Sequence, residues 1–126
     1  MEICDLKPVE RMVEIKHPST GEELGITVTL VSLNDPRMST LKRRIRVQAL
    51  ERERRGKNIN VDEVEKNELD LLVGALTGWS WKGDATFHNE KPAFNEENVK
   101  KVFKELPWFK EQIAEALGDE KGFFQN

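Results

Sequence analysis

Between residues 12 and 33 the chain alternates with period two: Val13 and Ile15 are separated by Glu14 and Lys16, and Ile26, Val28 and Leu30 by Thr27 and Thr29. Pro18-Ser19-Thr20-Gly21 lies between the two runs and supplies turn chemistry, so the segment reads as a β-hairpin with one apolar face. Gly21 and Gly25 are the expected places for unusual backbone angles or a bulge. A lone hairpin is marginal in water, so its apolar face must be covered by helices, by a partner or by a further strand.

After residue 33 the period changes. Asp35 and Pro36 form a helix start, the carboxylate accepting from first-turn amides and the proline standing where a missing N–H costs nothing. Met38, Leu41, Ile45 and Ala49 make a narrow stripe on an otherwise basic helix that Gly56 stops. A second helix is announced by Asn60 and Glu63 as a capping box, with Ile59 and Val64 as the hydrophobic staple around it. Its first half is acidic, and the apolar run Leu69 to Trp79 is expected to continue the helix through the centre of the core. A polar loop with Phe87 and Phe94 as anchors follows, and then Asn95 caps a helix striped by Val99, Val102, Phe103 and Leu106. Pro107 ends that helix and starts another, which carries Phe109, Ile113, Ala116 and Leu117 to Gly118. The fold expected is α+β: an N-terminal β-hairpin packed on a small bundle of about four α-helices. Residues 1–126 form one domain, with the hairpin at 12–33, the helical part at 35–118 and a flexible tail at 119–126.

Composition narrows the functional classes. With 126 residues the chain is long enough to bury a core without metal or disulfide. A net charge of −3 supplies no global field toward nucleic acid or membranes, so electrostatic function must come from local patches. Cys4 is the sole cysteine and suits a reducing compartment. The sequence lacks both a long apolar run and a basic, signal-like start, which places the protein in a cytoplasm.

Candidate chemistry is sparse. His17 sits at a hairpin turn and His88 in a polar loop, neither with partners at ligand or catalytic spacing, and no phosphate loop, nucleophile elbow or zinc motif occurs. No catalytic residue, metal ligand or cofactor is therefore expected, and the chain reads as a binding protein rather than an enzyme. The basic helix 36–55 is the best case for a small DNA-binding regulator, because clustered Arg and Lys neutralise phosphates. The acidic helix beside it repels the same phosphates and makes nucleic acid the less favoured partner. Trp79 belongs to the core by periodicity. Trp81, Trp108, Phe109, Phe123 and Phe124 are the candidate partner-binding residues, since aromatic side chains dominate protein interfaces; the alternative is that the first three fill or close over the core and the terminal pair folds back.

From residue 76 onward, Gly78-Trp79, the polar loop to Ala93, the start at Asn95 to Asn98, Pro107-Trp108 and the acidic-aromatic end Asp119 to Phe124 resemble the tail assembly chaperones of long-tailed, siphovirus-type bacteriophages. His17 to Leu30 also looks like the hairpin that opens these proteins. The resemblance implies a non-structural protein of the infected bacterial cytoplasm, absent from the mature virion. It would bind the tape measure protein, help recruit tail tube protein and self-associate, with no membrane partner. It further implies a longer, frameshifted form of the same gene. The codons of Gly122-Phe123-Phe124 could hold the slippery run for that form, or encode ordinary terminal residues.

Overall fold

In the computed structural model, which describes residues 2–5, 9–56 and 61–124, the alternating segments form antiparallel strands β1 (Arg11–Lys16) and β2 (Glu23–Leu30). Ile15, Ile26, Val28 and Leu30 are buried on one face. On the other face the Thr27 hydroxyl donates to the Glu14 carboxylate at 2.9 Å. The register runs from Arg11–Leu30 to Ile15–Ile26 and then jumps to Lys16–Glu23, leaving Leu24 and Gly25 as a bulge. Gly25 has φ +81°, and an added Cβ would stand 2.6 Å from the Lys82 carbonyl oxygen, so only glycine fits there.

The second helix differs from expectation. Val61–Ala75 is helical (α2, following α1 at Ser39–Arg54), but Leu76–Trp81 is a third strand, β3, antiparallel to β2. The Leu69–Trp79 run is apolar on most faces, so periodicity cannot tell a buried helix from a buried strand there. Two other constraints decide it. The second edge of β2 needs hydrogen-bond partners, and Thr77, Trp79 and Trp81 favour a pleated, half-buried surface. The sheet order is β1-β2-β3, so the hairpin is covered by a further strand and by helices.

The predicted ends of the other helices are present. The Asp35 carboxylate accepts from the Arg37 amide at 2.9 Å, and Pro36 opens a 3-10 turn leading into α1. Gly56, at φ +68°, follows the end of α1. The capping box at Asn60 and the staple residue Ile59 lie outside the described residues, although α2 begins at Val61 as they imply. The Asn95 side chain accepts from the Asn98 amide at 2.8 Å and starts α3 (Glu96–Glu105), and Pro107 opens α4 (Pro107–Gly118). Of the α1 stripe, Met38 is buried, Leu41 and Ile45 are half-buried, and Ala49 is exposed.

The core joins the inward strand residues to Leu72 and Ala75 of α2, Val99, Val102 and Phe103 of α3, and Phe109, Ile113 and Leu117 of α4. Gln112 of α4 closes one rung of the β1 edge: its carboxamide oxygen accepts from the Lys16 amide at 2.9 Å and its NH2 donates to the Lys16 carbonyl at 2.8 Å. The tail expected to be flexible from residue 119 is instead docked through Glu120–Phe124, a 3-10 turn in which Phe123 is fully buried. Burial of that ring, the 2.7 Å bond from the Val9 amide to the Phe123 carbonyl and the Arg11 guanidinium over the ring fix it.

Asp35 is buried, and both its oxygens meet the Arg37 guanidinium at 3.0 Å. The Arg37 side chain first, then the Arg37 backbone amide, hold the carboxyl below its ordinary value against the opposing effect of burial. A depressed folded-state value stabilises the protein above the unfolded carboxylate range and loses that contribution as pH falls through the folded value. Asp35→Asn, which keeps a capping oxygen but no charge, should therefore cost about 1 kcal/mol near neutrality. In urea titrations the gap from wild type should close below about pH 4. A gap that persists unchanged into strong acid would assign the loss to geometry instead of charge.

Candidate protein-binding groove

The bulge at Leu24-Gly25, the end of β3 and the break at Leu106-Pro107 meet at one end of the sheet. The Lys82 amide donates to the Gly25 carbonyl at 2.8 Å, which ties the exit of β3 to the bulge. The chain then reverses through His88 (φ 53°) and Asn89 (φ 67°), with paired bonds between Phe87 and Glu90, the geometry of a type I′ turn. Asn89 suits positive φ well. Lys91 fixes the return of this loop by donating to the carbonyls of Trp81 and Gly83, both at 3.0 Å. The Trp79 indole N–H donates to the Pro92 carbonyl at 3.0 Å, and Phe94 sits edge-on to the same ring.

At the helix break Leu106 leaves helical angles (φ −124°, ψ 76°), as the residue before a proline should. The new helix direction turns Phe109 inward, stacked on Trp81 with ring centroids 6.1 Å apart at 16°, and tilted against Phe103 at 6.2 Å. Trp108, its neighbour, stays half-buried at the rim. The result is an open apolar groove of about 560 Å³, formed by Leu24, Ile26, Trp81, Phe87, Leu106 and Trp108. At its mouth His88 Nε2 and Glu105 Oε1 lie 2.9 Å apart, latching the loop onto the end of α3. The Trp81 ring is only 8% exposed, and its Nε1–H is shielded from solvent without a hydrogen-bond partner. Such an orphan donor costs about 1–3 kcal/mol.

Of the residues named from sequence, Trp81 and Trp108 are brought together here. Phe109 is corrected from a surface candidate to a core residue: the Pro107 turn that leaves Trp108 at the rim aims its neighbour beneath Trp81. Trp81 is likewise mostly buried, because alternation along β3 points it inward, and it forms part of the groove wall. Phe123 is corrected in the same way, since its ring is fully buried and packs against Arg11, whose strand pairing with Leu30 places it at the other end of the sheet. Phe124 beside it is exposed. Sequence reasoning missed Leu24 and Leu106 as groove residues. Leu24 carried a signal, since a bulge at Gly25 turns an adjacent side chain out of register.

Among the described residues, no three or more His, Cys, Asp or Glu gather in an arrangement that could hold a metal ion, and no helix is long and apolar enough to cross a membrane. No protein-family profile, curated protein or solved structure matches this chain.

The two adjacent aromatic residues should separate sharply in stability. Phe109→Ala opens a cavity under Trp81 and is expected to cost about 3–5 kcal/mol. Trp108→Ala trims a rim residue and should cost about 1 kcal/mol. Denaturant titration of both variants measures this, and equal losses would place Trp108 in the core.

Proposed function

We propose that this chain is a tail assembly chaperone of a long-tailed bacteriophage, acting by binding alone in the cytoplasm of the infected cell. Its groove would hold apolar helical stretches of the tape measure protein while tail tube subunits are recruited. The observation that carries the proposal is the open apolar groove walled by Trp81, Phe87 and Trp108 at the corner made by Pro107. Amphipathic helices are recognised by such grooves through a few large side chains. The sequence resemblance to tail assembly chaperones supports the choice of client.

Single grooves of this size bind weakly. Many copies along one long client would hold it through avidity and still release it.

The alternative, duplex-DNA binding through the basic helix, has less support. Arg37 already pairs with Asp35 and Glu10, Arg44 with Asp70, and Arg52 with Glu63. These carboxylates compete with phosphates for the same cations.

Co-expression with a long, helical tape measure protein should yield a soluble complex. Trp108→Ala and Leu24→Glu are each expected to weaken it about tenfold or more while leaving the circular dichroism spectrum unchanged. Undiminished complex formation by both variants, or tight salt-dependent binding of duplex DNA instead, would falsify the reading.

A further inference from the structure

Strand β1 is an edge strand, and its partners fix which way its backbone groups point. The Lys16 amide and carbonyl both meet Gln112 of α4, so they face away from β2. Backbone groups two residues apart in a strand point the same way, which turns the N–H and C=O of Met12 and Glu14 outward as well. Pairing on the other side gives the same answer. The Gly25 carbonyl takes the Lys82 amide, so Gly25, Thr27 and Thr29 turn to β3 and leave Ile26, Val28 and Leu30 to bond Ile15, Val13 and Arg11. The outward groups of Met12 and Glu14 bond no described residue.

Two further observations say what this edge accepts. The Gln112 carboxamide gives Lys16 an acceptor at 2.9 Å and a donor at 2.8 Å, so a peptide-like amide already sits on the edge in ladder geometry. Beside the open positions, a depression of about 410 Å³ lies between β1 and α4, with Val13 and Ala116 as its apolar lining. Arg11 and Asp119 in its rim pair at 3.4 Å, which leaves Lys16 and Glu115 to offset each other. The depression is therefore close to neutral and suits an aliphatic side chain.

We propose that the β1 edge binds a short extended segment of a partner polypeptide, with the sequence pattern basic, aliphatic, apolar, as an added antiparallel strand. The antiparallel sense lets the segment exchange both backbone hydrogen bonds with Glu14 and both with Met12. The residue between them, opposite Val13, turns its side chain inward to the depression and is best Val, Ile or Leu. On the outer face, the residue opposite the Glu14 carboxylate is Lys or Arg, and the residue opposite Met12, which is 71% exposed, is apolar. Gln112 ends the site at Lys16. A second copy of β1 does not match this pattern, because antiparallel pairing of two such edges sets Glu14 opposite Met12, Glu10 or Glu14. The site uses none of the groove residues, so it stands or falls apart from the function proposed above.

The probe is an acetylated, amidated peptide, Ser-Gly-Lys-Val-Leu-Gly-Ser, added to the purified protein. Two paired positions and one small depression leave little after the costs of association, so Kd should be about 1 mM. In amide NMR spectra the Met12 and Glu14 signals should shift on addition and their hydrogen exchange should slow, while the Leu24, Trp81 and Trp108 amides stay unchanged. N-methylation of the peptide at both Lys and Leu removes the donors to the strand and should weaken binding about tenfold. N-methylation at Val, whose N–H points away from β1, should leave it within about twofold of the parent. Glu14→Lys should weaken the parent peptide about threefold and favour a peptide with Glu in place of Lys. Glu14 is exposed, and an unchanged circular dichroism spectrum checks the fold. Met12 and Glu14 amides that ignore the peptide at about ten times the expected Kd overturn the proposal, as does equal binding of all three peptides. Shifts confined to the groove also overturn it. So does protection of these two amides that grows with protein concentration alone, which would assign the edge to a second copy.

Discussion

The second edge of β2 must find hydrogen-bond partners, and much of the molecule follows from how it does so. Its inward residues Ile26, Val28 and Leu30 are buried, and a buried backbone cannot leave its N–H and C=O groups unmatched. Residues 76–81 meet that demand and leave the helical path to do so. Once β3 is paired, alternation points Trp79 and Trp81 inward. Trp81 stacks on Phe109, and the loop after β3 is pinned back over the sheet by Lys91 and by the Trp79 indole. The groove is thus a by-product of completing a sheet.

Local chemistry was easiest to read from sequence. The hairpin, the caps at Asp35 and Asn95, the break at Pro107 and the glycine at the bulge each depend on a few adjacent residues, and each is present. Leu76 to Trp81 resisted reading because its fate depends on β2, which lies more than forty residues earlier in the chain. The aromatic residues show a related limit. Pro107 signalled a change of direction, but which of Trp108 and Phe109 turned inward depended on the azimuth of a helix whose neighbours were unknown. Phe123 stood outside any periodic pattern, and its burial rests on Arg11 and Val9 at the opposite end of the chain.

The groove and the α1–α2 helical pair occupy different parts of the architecture. The helical pair joins the sheet where Leu30 pairs with Leu76, while the groove lies where Ile26 pairs with Trp81. The division also follows charge: strong cations and carboxylates are concentrated on the helical pair, whereas the groove has only His88, Glu105 and Asp84 among its bordering ionisable groups.

The carboxamide of Gln112 has a quieter consequence. By giving Lys16 one acceptor and one donor at the spacing of a peptide group, it impersonates the next strand for a single rung. Exposed strand edges are templates on which other chains polymerise, and proteins that must remain dispersed at high abundance need to blunt them. Here one rung of the β1 edge is occupied by a side chain anchored on α4, so an added strand would find that donor and acceptor already taken.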